Sequence, residues 1–319
     1  MARSALLLLI FFLLSLILLP IAVFYGIKML NPPVQVKIGE KLIRVYFHET
    51  GITKTMPLEE YVVGVVAAEM PAHFEMEALK AQAVAARTYA LKRMEENSPH
   101  PEADVCTDPN HCQAYLDDGD LRKKWGILNF WRYKSKIEAA VNSTRGLVLT
   151  YQGKLIDPVY HANGGGRTEK AAHVWGKEVP YLQSVPSPWD EGDPNYQRIL
   201  TFILEELQGK LGGQVLPAAA NLPPGNFIEA LERTPTGRIK LLRVGNKILP
   251  GGEARKLLGL PSTNFTWEVE GNKVRFRVIG YGHGVGMSQY GANGMAREGY
   301  DFLSILRHYY PGTEVVQGY

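Results

Sequence analysis

The sequence predicts an α+β fold, in which an N-terminal transmembrane helix is followed by a mixed helix and short-strand extracytoplasmic domain. Three observations predict it. Residues 5–27 form an uncharged apolar run long enough to cross a bilayer. Two stretches with helical periodicity follow, 57–71 and 75–92. The C-terminal half breaks into short β-rich runs divided by turns that contain Gly and Asn. With 319 residues the chain has room for one large domain or two lobes. Its 35 Lys and Arg nearly balance 32 Asp and Glu, so composition leaves no nucleic-acid footprint.

Residues 1–30 read as a short cytoplasmic N-terminus and a membrane anchor. A cleavable signal would show a shorter apolar core and a small-residue cleavage site. Arg3 and the amino terminus mark the cytoplasmic side, although Lys28 weakens the asymmetry. Asn31-Pro-Pro33 is a linker, and 34–319 is the functional region, in one or two lobes. Segments 34–38 and 42–47 read as a hairpin around 39–41.

Pro57 suits the first turn of a helix and Pro71 stops it. Leu58, Val62, Val65 and Glu69 fall on one stripe, which sets Glu69 in an apolar face. Burial raises a carboxyl pKa towards the protonated state that a general acid needs. The bland alternative is a helix-end Glu held by an Arg or by backbone donors. The Ala-rich run after Pro71 has strong helix propensity, with Leu79, Gln82, Ala86 and Tyr89 on one side. Lys80 and Arg87 form a cationic edge on another.

From about residue 97 the chain turns polar and reads as a loop holding both cysteines, with the order His100, Cys106, His111, Cys112. Four zinc-type ligands within thirteen residues could close a structural tetrahedral site. A Cys106–Cys112 disulfide is the alternative in an oxidising compartment. Segment 136–143 reads as a helix, and 146–151 with 155–162 as a hairpin that delivers His161, Asn163 and Gly164-Gly-Gly166. A helix is expected around 202–211 and a surface loop at 216–225. Strands are expected at 227–233, 239–244, 265–270 and 274–279, with a helix at 252–258. Gly280-Tyr-Gly-His-Gly-Val-Gly286 then enters a helix from about Ser288, and its glycines leave backbone N–H groups exposed. No Gly-x-x-x-x-Gly-Lys phosphate loop exists.

Ala67-Ala-Glu-Met-Pro71 with Glu77-Ala-Leu-Lys-Ala-Gln-Ala-Val-Ala-Ala-Arg-Thr-Tyr89 resembles the core motif of the stage II sporulation protein D family. That family includes amidase-enhancer proteins. Tyr160-His-Ala-Asn-Gly-Gly-Gly-Arg167, Trp175-Gly, Pro180-Tyr-Leu182 and Gly282-His-Gly-Val-Gly-Met-Ser-Gln-Tyr-Gly-Ala292 follow in the family's order. The resemblance implies a lytic transglycosylase acting on peptidoglycan, with Glu69 as its acid/base and no metal in the chemistry. A substrate surface of Lys80, Gln82, Arg87, Tyr160, His161, Asn163, His283, Ser288 and Gln289 goes with it. Lys80 and Arg87 would meet the lactyl carboxylate bared when stem peptides are absent. Some members carry a His/Cys cluster in the 100–112 loop, in line with structural zinc. The implied partners are peptide-free glycan strands, a stem-peptide-removing amidase and other membrane proteins of an engulfment complex, with sporulation as the setting. A glycan-binding enhancer of an amidase is the alternative reading. A zinc peptidase built on His100, His111 and His283 lacks the usual signatures.

Overall fold

The computed structural model describes residues 40–96, 102–211 and 227–319. Among the described residues no helix is long and apolar enough to cross a membrane. This corrects the expected fold class: the described residues are α+β and contain no membrane-spanning helix. The run 5–27, the linker 31–33 and the strand at 34–38 lie outside the described residues, as do His100 and the 216–225 loop.

Residues 41–319 form one unit. Strand β1 (Leu42–Phe47) pairs antiparallel with β2 (Ile52–Pro57). Helix α1 (Leu58–Glu69) begins directly after Pro57, and α2 (Met76–Glu95) follows the break at Pro71. Leu58, Val62 and Val65 are buried as their spacing requires, and the buried alanines of α2 let its neighbours approach closely. Strand β3 (Val105–Cys106) runs parallel to β1 and closes the sheet β2-β1-β3. Helix α3 spans Asp118–Ser143 with a break at Gly126 (φ 73°), so helix begins eighteen residues before the expected 136. Its polar first turns face solvent and hide the pattern from a hydrophobic reading.

Strand β4 (Leu147–Tyr151) pairs with β5 (Lys154–Leu155) around the Gln152-Gly153 turn. The expected hairpin ends there. Strand β6 (Tyr160–His161) runs parallel to a strand far along the chain, while β7 (Gly166–Arg167) pairs with β8 (Pro186–Ser187). Between them lies the short helix α4 (Ala171–Trp175). Strand β9 (Gln197–Ile203) replaces the first part of the helix expected at 202–211, which starts instead at α5 (Leu204–Leu211). Strands β10 (Ile228–Arg233), β11 (Ile239–Val244) and β12 (Lys247–Pro250) form one sheet, with α6 (Gly251–Leu258) beside it. Strands β13 (Phe265–Glu270) and β14 (Lys273–Ile279) pair, and β14 binds β9 on its other edge. The glycine-rich segment leads to β15 (Met287–Ser288), the parallel partner of β6. Helices α7 (Gln289–Arg297) and α8 (Phe302–Tyr309) follow, and β16 (Glu314–Gln317) pairs with β4.

Two buried apolar clusters result. The larger joins α1, α2, α3, β4, α7 and α8; the smaller lies among α5, α6 and strands β9 to β14.

Candidate active site

Glu69 is the last residue of α1, half-buried where the helix ends. Burial raises its pKa above the usual carboxylate value, opposed by the Ala114 N–H, the Gln289 side chain, the Lys124 cation and the Tyr160 side chain. The Ala114 N–H donates to Oε1 at 2.9 Å. Gln289, the first residue of α7, also donates from Nε2 to Gln82 Oε1 at 3.4 Å. Tyr160 OH accepts from Gln113 Nε2 at 2.8 Å, and Tyr61 OH donates to Gln113 Oε1 at 3.4 Å. Lys124 Nζ donates to the carbonyls of Ala67 (3.0 Å) and Ala68 (3.4 Å), a cation at the negative end of α1. The groups bearing most on Glu69 include no second carboxylate. One carboxyl with a raised pKa is thus ringed by neutral donors and one cation. A cavity of about 590 Å³ opens beside Lys124, lined by His48, Tyr115 and Asp117 among others, and Glu69 does not line it.

Of the expected substrate residues, the structure brings Tyr160 and Gln289 to Glu69, sets Gln82 against Gln289 and takes others away. Arg87 is corrected first: it is fully buried and forms no edge. Its Nε and Nη2 donate to Glu59 Oε1 and Oε2 at 2.9 and 2.6 Å, and its remaining donors reach the carbonyls of Leu147 and Val141. Lys80 lies along α2 and donates to Glu77 Oε1 at 2.7 Å. Asn163 is buried and saturated within the protein, donating to Asp190 O and Asp193 Oδ2 and accepting from Gly165 N. Ser288 caps α7, accepting from Gly291 N at 3.2 Å and donating to Asp190 Oδ1 at 2.5 Å. Burial pushes Asp190 up to about 6 despite those donors. Both Asn163 and Ser288 are therefore framework.

His161 is buried and donates from Nδ1 to Val285 O at 3.0 Å. Burial, with the neighbouring His283 and Arg238, lowers its pKa well below the ordinary value and keeps it neutral. The His283 ring stands 5.5 Å from it and 5.3 Å from Trp175. His283 Nδ1 accepts from Val285 N at 3.0 Å, and a further hydrogen bond joins the ring to the Tyr160 backbone. Burial and then Arg255 push this imidazole down to about 4. His283 thus braces Tyr160, which in turn reaches Glu69.

The glycines of 280–286 were expected to leave amides free. Instead Gly280 N binds Tyr196 O, Tyr281 N binds Asn163 O and Gly282 N binds Pro261 O. The loop packs backbone on backbone: at Gly286 (φ 71°) a Cβ would stand 2.0 Å from Val159 O. Only glycine fits there.

Cys106, His111 and Cys112 gather their ligand atoms within 4.8 Å of one another, His100 being outside the described residues. His111 Nδ1 lies 3.4 Å from Cys106 Sγ and 3.6 Å from Cys112 Sγ. Bond lengths of about 2.1 Å (N) and 2.3 Å (S) put such ligands ~3.6 Å apart on a zinc tetrahedron, so the donor set fits zinc. Both cysteines are unbridged, which does not favour the disulfide. His283 is not part of the cluster. The next two residues, Gln113 and Ala114, are the donors that face Tyr160 and Glu69, so the cluster anchors part of the surroundings of Glu69.

Sequence reasoning missed Tyr61, Gln113, Ala114, Lys124 and the exposed Trp175 as parts of this site. Gln113 and Ala114 carried a signal in their place directly after Cys112, and Trp175 in its place in the Trp175-Gly motif.

The stage II sporulation protein family (SpoIID) matches residues 46–151. Stage II sporulation protein D of Bacillus subtilis (strain 168) is 40% identical over 275 residues, 86% of this chain and 78% of that protein. The protein of the same name from Bacillus amyloliquefaciens matches to the same extent. The amidase enhancer of Bacillus subtilis (strain 168) is 29% identical over 301 residues, 78% of this chain and 39% of its own length. With an identity of this order over most of both chains, and with Glu69 set in the motif that first suggested it, the chain belongs to the stage II sporulation protein D family.

Proposed function

We propose that the chain is a lytic transglycosylase that cuts peptide-free glycan strands of peptidoglycan between N-acetylmuramic acid and N-acetylglucosamine. The observation that carries this is the state of Glu69: a carboxyl raised by burial, ringed by neutral donors and without a second carboxylate beside it. Glycosidases that use water or a protein nucleophile need two carboxylates. A transglycosylase needs one, because the muramoyl 6-hydroxyl is the nucleophile. Protonated Glu69 gives its proton to the glycosidic oxygen as the C1–O bond breaks. The resulting carboxylate takes the 6-hydroxyl proton as O6 bonds to C1, closing a 1,6-anhydro ring. Tyr160 and Gln289 orient the carboxyl, and Lys124 steadies its anionic form.

Zinc at Cys106, His111 and Cys112 serves this reading as a structural clamp. A cell-wall role in sporulation fits the names of the Bacillus relatives, and an amidase that strips stem peptides is the natural partner. The relative named amidase enhancer favours a second reading, a glycan binder that stimulates an amidase without cutting. Purified full-length protein mixed with bare strands, with no amidase present, separates the two. Anhydro ends support the transglycosylase, and uncut strands support the enhancer.

A further inference from the structure

With Arg87 sealed against Glu59, a lactyl carboxylate on the substrate needs another partner. A second cavity, of about 630 Å³, is lined by Asn195 and Arg198, by Arg255 of α6, and by Pro261 and Tyr281. Neither arginine forms an ion pair with a carboxylate among the described residues. Arg255 is half-buried, its Nε donates to Leu260 O at 3.3 Å, and burial lowers its pKa, offset by the Tyr281 phenol. The Arg198 guanidinium stands 5.2 Å from the centroid of the Tyr281 ring, which is 45% exposed. Near Arg255 lies Arg238, 2% exposed, with Nε and Nη1 lacking hydrogen bonds. The carboxylate nearest to it, Glu169, is 4.0 Å away and already accepts from Thr234, Thr236, Lys170 N and His173. Positive charge around this cavity is therefore poorly compensated, and Arg255 depresses the proton affinity of both His161 and His283. A surface arginine needs no partner, but a half-buried one that lacks a carboxylate is costly.

We propose that this cavity is a carboxylate-binding subsite for the glycan, in which Arg255 and Arg198 receive the lactyl carboxylate of a muramoyl residue and the Tyr281 ring lies against a sugar face. The proposal rests on the glycan reading above. The subsite is tied to the acid through a short segment: Tyr281 exchanges backbone hydrogen bonds with Asn163, three residues after Tyr160. Extended chain covers that gap in roughly 10 Å. His283, two residues after Tyr281, holds the Tyr160 backbone. A strand bearing stem peptides has its lactyl groups as neutral amides, so this subsite favours bare strands.

The test uses full-length Glu69→Gln protein, so that strands stay intact. Binding is measured for bare strands and for the same strands with every lactyl carboxylate converted to a primary amide. Acid strands bind about 10-fold or more tighter, the scale of charge-assisted hydrogen bonds. The gap shrinks as ionic strength rises. Adding Arg198→Gln and Arg255→Gln closes the gap and leaves affinity for amide strands within about 2-fold, inside the scatter of single-contact effects. Arg198→Gln alone, on the exposed face, narrows the gap without any effect on folding. A gap that survives both substitutions overturns the subsite alone. If the Glu69→Gln protein binds neither strand, the glycan reading falls and the subsite with it.

Discussion

Glu69 holds its proton more tightly than a free carboxyl because burial disfavours its charged form. Its folded-state pKa lies above the model-peptide value of 4.5, so the folded state holds the extra proton. Stability from this group is therefore fully present below about pH 4.5 and declines as pH rises through the folded-state value. Glu69→Gln removes that decline, and its melting point should gain on wild type as pH rises above about 4.5. A difference independent of pH would show that the carboxyl is not raised. The apolar stripe of α1 made this residue legible in the sequence. Arg87 was not legible, because periodicity fixes the face of a helix but not what packs against it. Its partner Glu59 comes from another helix, and Gly146 N and the Tyr319 hydroxyl converge on that carboxylate too. Arg87→Ala strands a buried charge and should cost about 3–5 kcal/mol. A melt should show a loss of this size; a weaker grip on glycan at unchanged stability would contradict it.

Among the elements, the glycine segment and the 106–112 loop both act by fixing backbone around Glu69 and Tyr160. Gly286→Ala meets Val159 O directly, one residue before Tyr160. The positive φ alone costs about 1–3 kcal/mol, and activity should fall with stability as β6 shifts. Gly271→Ala, also at positive φ (59°) but with no atom within 4 Å of the added Cβ, should lose some stability and keep full activity. Equal behaviour of the two in an activity assay would remove the positioning role. The sequence showed that glycines were required here but not why, since close approach needs the partner strand, over a hundred residues away. Purified protein should hold about one equivalent of zinc at the 106–112 loop. Chelation should lower the melting point, slow turnover indirectly through Gln113 and Ala114, and be reversed by zinc. A metal-free protein two hydrogens short in mass would favour the disulfide.

Across the whole molecule, the sequence placed most helices and strands but not their order in sheets. Strands β6 and β15 are two residues each, too short for any pattern, yet their pairing brings Gln289 beside Tyr160. Strand β9 carries Arg198, Leu200 and Phe202 against β14 and was hidden by the helix that follows it. The motif residues were visible because each meets a local demand: a buried carboxyl, a tight backbone approach or a cluster of ligands. Their convergence on one carboxyl was not, because it depends on contacts between distant segments. The most direct measurement compares the ends produced from bare glycan strands by wild type and by Glu69→Gln, read by mass spectrometry. Wild type should yield 1,6-anhydromuramoyl ends, and Glu69→Gln should fold, bind strands and form them at least ~10²-fold more slowly. Hydrolysed reducing ends from wild type, or Glu69→Gln turnover above about a tenth of wild type, would contradict a single acid/base at Glu69.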